Sequence, residues 1–320
     1  MLGDLLTASF AGTPPVITFT GQVTQPVIDA LTNEGRVMLE GRAPVLVYGV
    51  GGGKALDVAK GVALRLGADF VSVPTIASND SPTGRAIAIY DESHRLERIE
   101  HIASSPEAVV VDTAVIARAP ARFLRAGIGD AIAKKFEAER ARRDGAMNFF
   151  GTPPLASALA LADTCYGLLR RCGGAAMRAA EEHVVTADFE TVVEACLLMS
   201  GIAWESGGIS LAHGVVRGIA RSPGAEASLH GEHVAYGLLV MHALEERSDA
   251  ELLDLMAFYH AIGQATTLQG LGLECTDEAA IARIATWTFD APGNANLIVS
   301  TTEAAIRKAI LRVEQLAGSE

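Results

Sequence analysis

The stretch VLVYGVGGGKALDVAKGVALRL, residues 45–66, predicts how the first part of this chain folds. Its β-branched start, 45–50, is typical of a buried strand, and three consecutive glycines end it. Residues 54–66 then place apolar side chains on one face of a helix, with Gly67 as its expected end. The next predicted strand is FVSVP at 70–74. A strand, a helix and a strand in this order predict a parallel sheet with helical crossovers.

The same alternation surrounds this stretch but stops near residue 120. Further strands are predicted at 16–19, 86–90 and 108–112, and a helix over about 25–40. Beyond Pro120 the chain is rich in alanine and leucine, and its clearest helical segments are 127–143, 154–172 and 301–317. We therefore predict an α/β, parallel-sheet, nucleotide-binding domain over residues 1–119 and an all-α, metal-binding domain over residues 120–320.

Composition excludes several classes of protein. The formal net charge of -12 leaves no basic surface for a phosphate backbone, which speaks against a nucleic-acid partner. The four cysteines form no CxxC pair, which predicts buried thiols in a reducing compartment. The N-terminus lacks the basic region of a signal peptide, and the most apolar run, 195–220, is interrupted by Glu205 and His213. We expect no membrane span and a cytoplasmic protein.

The glycine turn has the physical ingredients of an anion site. A strand ends, glycines allow close backbone approach, and a helix begins, so free N–H groups and the helix dipole face any phosphate placed there. The turn is not a P-loop, because Ala55 stands where Ser or Thr would hold magnesium. Nor is it the dinucleotide fingerprint, because Lys54 replaces the third glycine. A tight connection without a ligand is the alternative.

Two histidines suggest a metal site. His213 and His230 lie in SLAHGVVRGIARSPGAEASLHGEHVAYG, residues 210–237, each beside a glycine in a mostly apolar context. Both are candidate nitrogen ligands, and Asp130 in GIGDA is a candidate oxygen ligand. Catalytic zinc takes three protein ligands and keeps one position open. The alternatives are ordinary core or surface histidines and an aspartate that caps a helix.

Five motifs in order resemble a known family: GVGGGKxxDxAK, VPTIASNDSPT, GIGDA, SGIAWESGGISLAHGV and HGEHVAYG. Over about residues 16–318 the chain is similar to the glycerol dehydrogenases of the iron- and zinc-dependent polyol dehydrogenase superfamily. The resemblance implies a dehydroquinate synthase-like fold and NAD-linked oxidation of glycerol, or a related vicinal diol, to the hydroxyketone. It also implies a homo-oligomer, from dimer to octamer.

The resemblance assigns the metal ligands. Asp130, His213 and His230 are expected to bind the metal and to act in catalysis. Iron-type relatives carry a further histidine four residues after the aspartate, where this chain has Lys134. The resemblance therefore favours Zn²⁺ over Fe²⁺.

It also assigns the substrate and cofactor contacts. Asp80 is expected to act in catalysis by binding the second substrate hydroxyl, because a carboxylate accepts hydrogen bonds from a vicinal diol. An Asx turn before Pro82 is the alternative. The residues expected to contact NAD are Gly51, Gly52, Gly53, Lys54, Asp57, Thr75 and Ser78.

The family pattern breaks at the start of the chain. Relatives carry a further strand before the equivalent of residues 16–19, and an acidic residue after it contacts the adenine ribose. That first strand is expected to be missing here, either because this is a shortened version of a protein that starts earlier or because a natural variant has lost it. The loss would open a sheet edge and leaves the choice between NAD and NADP undecided. Two other functions stay open: a glycerol-1-phosphate dehydrogenase-like enzyme, although no basic cluster lies near HGEH, and a degenerate, non-catalytic member of the family.

Overall fold

The computed structural model describes residues 14–92, 96–291 and 301–318. The chain divides into two compact units: Met1–Val73 with Arg85–Val110, and Pro74–Gly84 with Val111–Glu320. The predicted loss of the family's first strand concerns the start of the chain and lies outside the described residues. Each unit is described by itself.

The first unit is α/β. In chain order it contains α1 (Gln25–Leu39), β1 (Leu46–Gly51), α2 (Gly53–Leu66), β2 (Asp69–Pro74), β3 (Ala86–Tyr90), β4 (Leu96–His101) and β5 (Ala108–Val109). One sheet has the strand order β1-β2-β5, with Val71 paired in parallel to Ala108. Ile28, Leu56 and Phe70 lie in its apolar core, in which α2 packs on β1 and α1 packs on α2.

Two details of this unit differ from the sequence prediction. Strand β3 does not extend the parallel sheet but pairs antiparallel with β4, with Ile87 opposite Glu100. The charges in LERIEH, 96–101, hid β4 from a search for apolar strands. Residues 16–19 form no strand, because neither sheet among the described residues includes them, and a strand needs a hydrogen-bonded neighbour.

The second unit is helical. Its α-helices are α3 (Thr113–Ala117), α4 (Arg122–Arg143), α5 (Ala156–Glu181), α6 (Ala187–Glu194), α7 (Ser200–Gly207), α8 (Leu211–Ile219), α9 (His230–Leu244), α10 (Asp249–Ala261), α11 (Glu278–Asp290) and α12 (Glu303–Ala317). A π-turn, Ala195–Met199, joins α6 to α7. Buried Ile128, Val215 and Leu239 belong to one apolar core shared by α4, α8 and α9. The predicted order of an α/β part followed by a helical part is confirmed.

Within the described ranges, no single helix is both long and apolar enough to cross a bilayer. Ala187–Gly207 and Leu211–Ile219 meet that criterion only as a pair, which is bent by 102°.

Helices α4 and α9 are in direct backbone contact because glycines face each other. A Cβ atom on Gly231 would lie 1.8 Å from the carbonyl oxygen of Ala126, and one on Gly129 would lie 2.4 Å from that of Gly231. No side chain fits at either position. This close approach places the first turn of α9, which starts at His230, against Asp130 in α4.

Candidate functional site

Asp130, His213 and His230 bring their ligand atoms together in the helical unit. One such atom from each residue lies within 4.8 Å of the other two. His213 Nε2 is 3.3 Å from Asp130 Oδ1, and His230 Nε2 is 4.0 Å from the same oxygen. Two imidazole nitrogens and a carboxylate oxygen are donors that Zn²⁺ and Fe²⁺ accept. The structure therefore gathers the three predicted ligands, which we call the trio.

Asp130 is suited to a cation. Its side chain is 1% exposed, and its Oδ2 is buried without a hydrogen-bond partner in the described part of the chain. An unpaired buried carboxylate oxygen is costly, and a bound cation would remove that cost. Burial alone would raise the pKa of Asp130, but Lys134 and the two histidines of the trio hold it below its usual range. The carboxylate is therefore ionised, as a metal ligand must be.

Lys134 also belongs to this site. From the sequence it was noted only as the residue that replaces the further histidine of iron-type relatives. Its Nζ lies 2.7 Å from Asp130 Oδ1, 3.1 Å from His213 Nε2 and 3.1 Å from Asp80 Oδ2. Burial alone would lower the pKa of Lys134, but the surrounding carboxylates raise it above its ordinary value. Lys134 thus places a permanent positive charge between two aspartates, which would otherwise repel each other.

Glu137 orients His213, and the sequence analysis missed it. Glu137 Oε2 accepts a hydrogen bond from His213 Nδ1 at 2.7 Å, and Oε1 accepts the backbone N–H groups of His213 and Ser210 at 3.0 and 2.9 Å. The other ring nitrogen, Nε2, then faces Asp130 at 3.3 Å, where it could act as a metal ligand. Its spacing from Asp130 could have revealed Glu137, because positions 130, 134 and 137 share one face of α4.

We expect Glu137→Gln to weaken metal binding about 10- to 100-fold, because the amide makes His213 a less basic and less firmly held ligand. Competition against a chelator on the purified protein measures this affinity. Glu139→Gln, at an exposed position of the same helix, is the matched control and should bind metal as the wild type does. Unchanged affinity in Glu137→Gln would show that this carboxylate does not support the site.

Glu232 secures the start of the helix that carries His230. Its Oε2 accepts the Leu229 N–H at 2.7 Å, and its Oε1 pairs with Arg125 of α4 at 2.9 Å. The His230 side chain is 46% exposed, whereas that of His213 is 13% exposed. Solvent therefore reaches the trio beside His230, as a catalytic metal with an exchangeable position requires.

Asp80 lies beside the trio, in the segment Pro74–Gly84 that belongs to the helical unit. Its Oδ2 is 3.1 Å from Lys134 Nζ and 3.2 Å from Ser200 Oγ. Burial and the charge of Asp130 raise the pKa of Asp80 to about 6, against the opposing effect of Lys134. The expected alternative, an Asx turn, is made by the preceding residue instead, since Asn79 Oδ1 accepts the Ser81 N–H at 3.3 Å. The Asp80 carboxylate is therefore available for another role.

The predicted phosphate turn lies in the α/β unit. Gly51 has a φ of 149° at the end of β1, and Gly52 caps α2 without a side-chain hydrogen bond. Gly53 begins the helix, and Lys54 is exposed in its first turn. Uncapped N–H groups at a helix start suit an anion.

The other residues expected to contact the cofactor, Asp57, Thr75 and Ser78, lie in different surroundings. Asp57 is buried, and its two carboxylate oxygens accept hydrogen bonds from Lys60 Nζ at 3.4 Å and from the Ala88 N–H at 3.1 Å. Its carboxylate therefore links α2 to β3, and a contact with NAD stays a prediction. Thr75 and Ser78 lie in the loop after β2, within the helical unit, and are partly exposed.

Comparisons with known proteins identify relatives of this chain. Residues 23–120 match the family described as iron-containing alcohol dehydrogenase. Glycerol dehydrogenase of Pseudomonas putida is 41% identical over 258 residues, which cover 81% of this chain and 70% of that protein. Glycolaldehyde reductase of Halobacterium salinarum is 35% identical over 304 residues, which cover 94% and 81%. The crystal structure of a probable glycerol dehydrogenase from Sinorhizobium meliloti 1021 has a TM-score of 0.91 and 34% identity, and covers 100% of this chain and 89% of that one.

Proposed function

We propose a polyol dehydrogenase function for this chain, which belongs to the iron-containing alcohol dehydrogenase family. The reaction is the metal-dependent, NAD-linked oxidation of glycerol or a related vicinal diol to the hydroxyketone. Both named relatives, a glycerol dehydrogenase and a glycolaldehyde reductase, act on compounds with oxygen on adjacent carbons. The observation that carries the proposal is the position of the Asp80 carboxylate, which contacts the same Lys134 ammonium group as Asp130 does.

The metal site of this proposal is the trio. Asp130, His213 and His230 would hold one divalent cation, and we favour Zn²⁺ over Fe²⁺ because Lys134 stands where iron-type relatives carry a further histidine. When bound, the cation supplies Lewis acidity that lowers the pKa of a substrate hydroxyl, and NAD supplies the hydride acceptor. Glu137 holds the His213 ring in its ligand orientation, and Lys134 offsets the negative charge of the neighbouring aspartate.

Asp80 selects the diol. Its contacts with Lys134 and Ser200 are both made by Oδ2, and we assign the other oxygen, Oδ1, to the substrate. A carboxylate oxygen left open beside the trio accepts a hydrogen bond from the hydroxyl next to the reacting one. A monohydric alcohol lacks that hydroxyl and leaves the carboxylate oxygen unpaired, so the site discriminates against it.

The cofactor contacts belong to the same proposal. The open helix start at Gly51, Gly52, Gly53 and Lys54 would hold the pyrophosphate of NAD, with Asp57, Thr75 and Ser78 in the roles given by the family resemblance. Binding of NAD is thereby assigned to the turn before α2, and binding of metal and substrate to the helical unit. We also propose a homo-oligomer, which light scattering would test.

The function is tested by following NADH or NADPH formation by absorbance with glycerol, 1,2-propanediol and 1-propanol. We expect oxidation of the two diols with NAD, much weaker oxidation of 1-propanol, loss of activity after chelation, and recovery with added Zn²⁺. A metal-loaded protein that oxidises neither diol would contradict the proposal.

Asp80→Asn tests the specificity role within that assay. We expect the KM for 1,2-propanediol to rise about tenfold or more, and the KM for 1-propanol to change less than about twofold, because only the diol uses the carboxylate. The monohydric substrate is the internal control. Equal increases for both substrates would remove the role assigned to Asp80.

A further inference from the structure

We infer that Ser200 is a positioning residue for Asp80 and thereby strengthens the preference for vicinal diols. This inference rests on the proposed function. Ser200 is fully buried at the start of α7, and its hydroxyl donates a hydrogen bond to Asp80 Oδ2 at 3.2 Å. Positions 80 and 200 are separated by 120 residues, so the contact depends entirely on the fold.

Two donors on one oxygen orient the carboxylate. Ser200 in α7 and Lys134 in α4 both contact Asp80 Oδ2, so two separate helices hold that oxygen. A carboxylate rotates easily about its terminal torsion, because that torsion has broad minima. With Oδ2 held twice, Oδ1 is directed away from both donors and is the oxygen that receives the substrate hydroxyl.

The π-turn before Ser200 holds the other end of the segment 80–83, which begins at Asp80. In this turn the Ser200 N–H bonds to the carbonyl of Ala195, five residues earlier, and the Leu197 carbonyl accepts a hydrogen bond from Thr83 Oγ1 at 2.8 Å. Single π-turns within helices are frequent at functional sites. The segment 80–83 is therefore attached to one helical turn at both ends, through Asp80 and through Thr83.

Gly201 makes this attachment possible. A Cβ atom at this position would lie 1.8 Å from Thr83 Oγ1 and 3.4 Å from the Asp80 carbonyl oxygen. The helix surface therefore has room for the segment only where the side chain is absent. The Thr83 N–H in turn donates to the Asp80 carbonyl at 3.3 Å, which closes the segment into a tight turn.

Removal of the Ser200 hydroxyl should affect diols specifically. We expect Ser200→Ala to raise the KM for 1,2-propanediol about five- to tenfold, with kcat and the KM for 1-propanol within about twofold of the wild type. Zinc content should stay at the wild-type value, because Ser200 has no hydrogen bond to the trio within the described ranges. Tm should fall by a few degrees, because the Asp80 carboxylate loses a donor. Ser157→Ala, at an exposed position in α5, is the matched control and should change none of these quantities.

A double-mutant cycle with Asp80→Asn separates positioning from general structural support. If Ser200 acts through Asp80, adding Ser200→Ala to Asp80→Asn raises the diol KM no further. Additive effects, equal increases for 1-propanol, or a wild-type diol KM in Ser200→Ala would each overturn the inference. If the wild-type protein oxidises no diol, the proposed function itself fails and the inference fails with it. If the wild type prefers diols but Ser200→Ala has an unchanged diol KM, only the inference is overturned and the proposed function stands.

Discussion

His213→Ala should lower the affinity for a divalent metal by more than about 100-fold and abolish polyol oxidation. We expect so large a loss of affinity because His213 is assigned as a ligand itself, and even residues that only support a metal ligand contribute about 10- to 100-fold. Loss of the ring removes one of three donors and also leaves the buried Glu137 carboxylate without the Nδ1–H group that it accepts at 2.7 Å. A buried carboxylate that loses a donor is strongly unfavourable, so the remaining site is also less ordered.

Metal content after dialysis, measured by mass spectrometry, and NADH formation with and without added Zn²⁺ test this expectation. His260→Ala is the matched control, because His260 is exposed and its Nε2 contacts Thr266 rather than the trio. Circular dichroism would establish that both variants are folded. If His213→Ala kept one tightly bound metal ion per chain, the metal would have to be bound elsewhere, and the assignment of the trio would be wrong.

Gly231→Ala should destabilise the protein by about 3 kcal/mol, the upper end of the usual cost of overpacking, because the contact is with rigid backbone. The new methyl group would lie 1.8 Å from the Ala126 carbonyl oxygen, a backbone atom that no rotamer change can move. Helices α4 and α9 must therefore separate. Since His230 directly precedes this glycine and Asp130 lies on α4, metal affinity should fall together with stability.

Urea denaturation and metal titration measure the two effects. Gly167→Ala is the matched control, because Gly167 lies inside helix α5 with open space around its Cα. Alanine there should stabilise the protein by about 0.5–1 kcal/mol through helix propensity alone. Wild-type stability in Gly231→Ala would contradict the direct backbone contact between the two helices.

Local sequence patterns were sufficient for several of the helices. The apolar spacing of 54–66 predicted α2, observed at Gly53–Leu66, and the helical pattern of 127–143 lies within α4, observed at Arg122–Arg143. Such patterns succeed because a helix that packs on one side must repeat its apolar residues every three to four positions. Strand β4 was missed because its sequence, LERIEH, is mostly polar and its pairing with β3 is not a local property.

The sequence by itself determined which residue types could form a metal site, because Asp130, His213 and His230 carry suitable donor atoms wherever they lie. Only the tertiary structure decided that these donors converge, that Glu137 contacts His213 and that Ser200 contacts Asp80. Glu137 is 76 residues from His213, and Ser200 is 120 residues from Asp80. Residue chemistry and periodicity are local, whereas contacts over such separations arise from helix packing.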